Sequence, residues 1–211
     1  MKGPRPPKRE RTRAKLIEAG FQVLAQRGDA LTASDVAQVA DVANGTFYNH
    51  FLDRDDFIQT LANESLRAIT VDSAEQTEGA DPAWRFAVGS TRVLRAAVRQ
   101  PLWGRAVLRL AEHPRPPHAA VQQHLREDLA AGLEAGRFAY GDDPVTVDIV
   151  TGTLIASLRR LIDEIDAIDD GAIRDVVARL LIAIGLDQDE AEALAAAADR
   201  AEQPEALVNP S

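Results

Sequence analysis

The side chains best suited to chemistry fall at residues 44–51, Asn-Gly-Thr-Phe-Tyr-Asn-His-Phe, and the chemistry they suit is recognition rather than bond-making. A helix turns about 100° per residue, so one over residues 44–50 sets Phe47 and Phe51 on one side and Gly45, Thr46 and Asn49 roughly opposite. Asn44, Tyr48 and His50 take the flanks. Rings can anchor such a helix while its small polar face meets a major groove. Gly45 lets the backbone approach, Thr46 and Asn49 reach base edges, and the longer flanking side chains reach phosphates. The competing reading is an ordinary helical hairpin with a polar surface.

That helix needs others to hold it. Thr32 can cap a preceding helix over residues 33–40, with Asp35 completing an acidic capping box and Val36, Ala37 and Ala40 forming the buried stripe. Asp41 sits where the chain must turn, and Asp tolerates a left-handed backbone. Upstream, Ile17, Gly20, Phe21 and Leu24 recur at helical spacing from about Arg11 until Gly28, a natural stop, and Gly20 within that face predicts a close helix crossing. Downstream, Asp53 caps a fourth helix with Asp56 as its third residue, and Phe57, Leu61 and Ala62 carry its inner face toward Ile69.

The run Gly-Thr-Phe-Tyr-Asn-His-Phe at 45–51, followed by Asp53, Arg54, Asp55, Asp56 and Phe57, closely resembles the signature of the TetR family of bacterial transcriptional regulators. The resemblance covers residues 11–63 strongly and the remainder through length and helical pattern. It implies that Thr32, Thr46, Tyr48 and His50 contact phosphates, that Asn44 and Asn49 face the groove, and that Arg54 replaces a usual Lys opening the next helix. Two positions depart from the pattern. Asp41 stands where Gly is usual, and Ala43 where Ser commonly caps the recognition helix, which leaves Asn44 as the alternative cap. The resulting candidate DNA-binding set is Thr32, Asn44, Gly45, Thr46, Tyr48, Asn49, His50 and Arg54.

The formal charge of −9 looks unfavourable for a nucleic-acid partner until its distribution is counted. Within residues 1–15, Lys2, Arg5, Lys8, Arg9, Arg11, Arg13 and Lys15 face a single acid, Glu10, for a net +6 that leaves −15 for the rest. A basic end can meet double-stranded DNA while an acidic body faces away. Residues 1–10, with three prolines and no apolar periodicity, are expected to be a disordered basic arm. Zero Cys removes disulfides, thiol nucleophiles and thiolate zinc sites. With no signal-peptide core and no apolar run near the ~20 residues of a membrane span, a cytoplasmic protein without a membrane partner is expected.

Catalysis has little support. There is no HExxH pair, GxSxG elbow, phosphate-binding Gly-rich loop or Rossmann fingerprint. His113 and His118 flank a proline loop beside Glu112, where a solvated loop is the stronger reading than a metal site. Asp163, Glu164 and Asp166 read as a solvated helix end. No enzyme activity, cofactor or metal is expected.

The rest of the chain reads as all-α. After a polar, Gly-containing segment at 71–81, Asp81-Pro82 opens a helix over 82–99, and further helices are predicted over 102–112, 119–138, 144–165, 172–184 and 188–201. The organisation expected is a helix-turn-helix domain at 11–56, with a linking helix at about 54–70, a helical ligand-binding and dimerisation domain at 57–201, and a polar tail at 202–211. The stripes Leu154, Leu158, Leu161 and Ile173, Val177, Leu180, Leu181, Ile184 exceed what one neighbour would cover. The resemblance implies that this helix pair forms a four-helix homodimer interface, as a palindromic site requires, and the alternative is internal core. It also implies a pocket for a small-molecule inducer within the C-terminal bundle. Trp84, Phe86, Trp103, Phe138 and Tyr140 are candidate walls, and Ser90, Arg92, Thr151 and Ser157 candidate polar contacts. The expected function is a ligand-responsive regulator, a repressor released by a small molecule. The alternative from another class is a helical interaction protein whose hairpin no longer binds DNA, against which Gly45, Thr46, Tyr48, His50 and Arg54 argue.

Overall fold

A computed structural model describes residues 7–77, 79–111, 118–164, 169 and 171–202. Every regular element among the described residues is helical: α1 Lys8–Arg27, α2 Ala33–Val39, α3 Asn44–Tyr48, α4 Arg54–Thr77, α5 Pro82–Arg99, α6 Pro101–Ala111, α7 His118–Glu134, α8 Pro144–Asp163, α9 Ala172–Ala183 and α10 Gln188–Ala201. A 3₁₀ turn, Gly28–Ala30, follows α1.

The chain divides into two compact units. One comprises Met1–Arg67 and Gln100–Val121, the other Ala68–Arg99 and Gln122–Ser211. In the first unit Leu16, Val23, Leu24, Leu31, Val36, Phe47, Phe51, Phe57 and Leu61 form one apolar cluster. Ala106 and Leu110 of α6 complete it, so α6, assigned by sequence to the C-terminal domain, packs here against α1. Gly20 is needed for the crossing of α1 and α4. A Cβ there would lie 2.4 Å from Phe57 Cζ and 3.0 Å from Leu61 Cδ2.

In the second unit α5 is the central strut. It packs against α8, α9 and α10, while α9 also packs on α8 and α10. Capping fixes where these helices begin. Asp143 accepts the amides of Val145 and Thr146 ahead of Pro144, and Asp187 accepts that of Glu190. Asp81 accepts the amide of Ala83 at 2.9 Å and also receives Arg137 Nε at 2.9 and 3.0 Å, while Arg137 Nη2 reaches Glu190 Oε1 at 2.5 Å. One guanidinium therefore ties the start of α5 to the start of α10. Its hydrogen bond holds the Asp81 carboxyl below the usual carboxylate value.

Some boundaries differ from expectation for local reasons. Helix α1 begins at Lys8 rather than Arg11, because Pro7 takes the cap position and Lys8, Arg9 and Glu10 are good helix formers. Only residues 1–6 of the expected arm thus precede the helix, and they lie outside the described residues. Helix α4 continues to Thr77, through most of the segment expected to be a polar linker; Gly79, at φ 73°, turns the chain after it. Helix α7 stops at Glu134 instead of 138. Gly136 adopts φ 66°, the amides of Arg137 and Phe138 return to the Gly132 carbonyl, and the Phe138 ring occupies the space a Cβ at Gly132 would need. His113 and the tail beyond 202 lie outside the described residues, as do the side chains of His118 and His124.

Candidate DNA interface

The hairpin begins with a complete capping box. The Asp35 amide donates to Thr32 Oγ1 and the Thr32 amide to Asp35 Oδ2, both at 3.2 Å. Arg27 adds a 2.6 Å ion pair to Asp35 Oδ1, joining the end of α1 to the first turn of α2. The Thr32 hydrogen bond first, then Arg27, hold the Asp35 carboxyl low against the opposing effect of desolvation. At the turn, Asp41 adopts φ 54°, the left-handed conformation anticipated for it, and the Val42 amide donates back to Ala37.

Helix α3 is only five residues long. Ala43 occupies the N-cap position without a side-chain cap, as its residue type dictates, and Asn44 is the first helical residue rather than the cap. The regular helix ends at Tyr48, earlier than the 50 expected, with Asn49 and His50 in the following turn. Tertiary anchoring compensates for this length. Phe47 is fully buried and packs edge-on to Phe57 at 5.0 Å, Phe51 stands 4.6 Å from Phe57, and Tyr48 stacks its edge on Phe47 at 5.3 Å.

The opposite side is open. Asn44, Gly45, Tyr48 and Asn49 are exposed, with Thr46 and His50 half-buried beside them and Thr32 exposed at the start of α2. A Cβ built at Gly45 meets nothing within 4 Å, so no neighbour in the fold requires glycine there. Arg54 has a positioning contact that its sequence role did not suggest. Its Nε donates to the Leu31 carbonyl at 3.0 Å, bracing the start of α4 against the entry to α2.

Sequence reasoning missed two features of this surface. Leu52, in the loop between α3 and α4, is 83% exposed, with its amide held by Asp56 Oδ2 at 2.9 Å; lying between Phe51 and the Asp53 cap was the only signal for it. The first turns of α1 also bear on His50. Burial foremost, then the charges of Arg9 and Arg13, hold His50 below its ordinary value of 6.5. The Arg13 guanidinium lies 5.8 Å from the Phe51 ring centroid and pairs with Glu64 at 3.2 Å, and the His50 ring is 6.3 Å from the same phenyl. The basic run at the start of the chain could have signalled this cluster.

The C-terminal candidates are redistributed. Leu158, Leu161, Ile173, Val177, Leu180, Leu181 and Ile184, expected at a dimer interface, are already buried within one chain, and Leu154 is half-buried. Their wide stripes are covered by α5 and α10, which the periodicity of α8 and α9 could not reveal. The large apolar side chains left exposed on these two helices are Val145 and Ile149 on α8 and Ile182 on α9, and a Cβ at Gly152 would meet nothing within 4 Å. Of the expected pocket walls, Phe86 and Phe138 pack on each other at 6.1 Å, Trp84 is half-buried, Tyr140 is 55% exposed, and Trp103 belongs to the other compact unit. Tyr140 is therefore no interior wall, because the turn ending α7 carries it outward. Among the described residues no cluster of His, Asp or Glu could hold a metal ion, and no helix is long and apolar enough to cross a membrane.

Solved structures share this fold. RolR in complex with resorcinol is 28% identical, with a TM-score of 0.65 over 89% of this chain and 94% of that one. The fatty acid degradation regulator FadR from Bacillus halodurans gives a TM-score of 0.65 at 20% identity over 83% of this chain and all of that one. An ArpA-like gamma-butyrolactone receptor gives 0.62 at 21% over 92% and 100%. The two latter support the fold alone. Residues 16–61 match the family described as bacterial regulatory proteins, tetR family, and residues 81–197 match the tetracyclin repressor-like C-terminal domain. With both domains matched over most of its length and the hairpin built as above, the chain belongs to the TetR family of transcriptional regulators.

Proposed function

We propose that this protein is a ligand-responsive repressor that binds a palindromic operator as a homodimer and is released by a small molecule. The observation that carries the DNA-binding part is the open polar face of α3. Asn44, Gly45, Tyr48 and Asn49 lie over an interior fixed by Phe47, Phe51 and Phe57, and the glycine has no internal neighbour to justify it. Gly45 then serves close backbone approach to the duplex, Thr46 and Asn49 read base edges, and Thr32, Tyr48, His50 and Arg54 meet phosphates. A second copy would seat on the exposed strip of Val145, Ile149, Gly152 and Ile182, bringing two recognition helices to one duplex face about 34 Å apart or a multiple of it. The complex of RolR with resorcinol supports a small, hydroxyl-bearing aromatic ligand.

Selection of bound fragments from the source genome tests the reading directly. The expected result is a two-fold symmetric sequence, bound far more tightly than random duplex, whose occupancy falls when ligand is added. Equal affinity for selected and random duplex would overturn the operator reading, and binding to neither would identify a helical interaction protein with an inactive hairpin.

A further inference from the structure

The interior of the second unit contains polar atoms with no hydrogen-bond partner among the described residues. Thr91 is completely buried on α5, and its Oγ1 has no hydrogen-bond partner among the described residues. One turn later on the same face, Arg95 Nε is likewise buried and unpartnered, as is Thr151 Oγ1 on α8, a helix that packs against α5. A helical hydroxyl can ordinarily satisfy itself on the carbonyl four residues back. Thr12 does so on Lys8 at 3.0 Å and Ser65 on Leu61 at 2.9 Å, whereas Thr91 and Thr151 do not. Interior polar atoms left unpaired destabilise a fold, so a ligand oxygen that paired with them would gain affinity from relieving that cost.

The chemistry of that partner follows from the charges. Arg95 Nη2 donates to Asp199 Oδ1 at 2.5 Å, and Asp199 is itself buried. The guanidinium charge is thus already balanced, and Nε offers a neutralised donor that suits an uncharged oxygen. Val88 and Trp84 continue the face of Thr91 and Arg95 toward the start of α5, at spacings of three and four residues, and supply apolar surface. We infer that Thr91 and Arg95, with Thr151, hold the oxygen-bearing end of the effector. That effector is a compact, uncharged, hydroxylated or carbonyl-bearing apolar molecule whose body lies along Val88 and Trp84. The inference rests on the ligand-responsive reading above and assigns the residues and ligand chemistry within it.

The test uses the full-length protein, calorimetric titration with the three dihydroxybenzenes, and toluene as the counterpart without oxygen. At least one dihydroxybenzene should bind and toluene should bind at least tenfold more weakly. Thr91→Val, which keeps the side-chain shape, and Arg95→Lys, which keeps the charge opposite Asp199 but removes Nε, should each weaken binding by about tenfold. Thr91→Val should melt no lower than the parent protein, because it removes an unpaired polar atom. Thr151→Val provides the same reading if Thr91→Val fails to fold. Undiminished affinity in folded variants, or toluene binding as tightly as the dihydroxybenzenes, would overturn the assignment. So would a parent protein that binds none of them. Operator binding measured in parallel separates these outcomes from failure of the regulator reading, which would appear as loss of sequence preference for DNA.

Discussion

At the scale of single residues, Gly45 separates folding from function. Because a Cβ there meets open space, Gly45→Ala should leave the fold intact and stabilise it by up to about 1 kcal/mol through helix propensity. The same methyl would stand between α3 and a groove, so operator affinity should fall at least tenfold. Thermal melting and a binding isotherm on one preparation check both halves, and unchanged affinity would remove Gly45 from the interface. His50 makes a second residue-scale prediction. Its native value lies below 6.5, chiefly from burial and then from Arg9 and Arg13, so the unfolded chain binds the proton more readily. Its contribution to stability is present above pH 6.5 and is lost as pH falls through the native His50 value. A phosphate beside His50 shifts the balance the other way, so DNA binding should take up a proton and operator affinity should rise as pH falls below 6.5. Comparing pH titrations of His50→Gln and the parent protein isolates both effects.

At the scale of elements, α3 is held by its neighbours. Five residues with no side-chain cap would not persist alone, and the rings of Phe47, Phe51 and Phe57 stabilise what the short hydrogen-bond ladder does not. That anchoring passes through the crossing of α1 and α4, where Phe57 lies against Gly20. Gly20→Ala should therefore cost roughly 1–3 kcal/mol by overpacking, and should weaken DNA binding by displacing the ring that seats α3. Denaturant melts read the first effect. If stability were unchanged, the crossing would have room for a methyl group beside Phe57.

At the scale of the whole molecule, the question is which apolar surface belongs to one chain and which to two. Val177 is 0% exposed and Ile149 is 47% exposed within a single copy. Val177→Glu should consequently unfold the second unit, since an unpaired buried carboxylate is strongly destabilising. Ile149→Glu should instead give a folded monomer whose operator affinity drops by about 100-fold or more, because the second half-site is no longer engaged intramolecularly. Sedimentation velocity with circular dichroism distinguishes the two, and a persistent Ile149→Glu dimer would place the second copy elsewhere. Regulation belongs to this scale as well. A 100-fold release requires the ligand to prefer the non-binding conformation by about 2.7 kcal/mol, and linkage requires DNA to weaken ligand binding equally.

Much of this protein is local and was therefore legible in its sequence. Asp81-Pro82 places the start of α5, Asp41 makes the left-handed turn, and the alternation of rings with small polar residues orients α3. Each depends on interactions within a few residues, which residue type and spacing encode directly. The tertiary structure decided matters of partnership. Periodicity reports a stripe's direction about its own helix axis and says nothing of which element covers it, so the stripes of α8 and α9 became interior under α5 and α10. Residues far apart in the chain likewise became one structure: Arg54 with Leu31, Arg137 with Asp81 and Glu190, and Arg95 with Asp199 across 104 positions. Such pairs form only once the apolar faces have packed, because burial, not sequence proximity, brings them together.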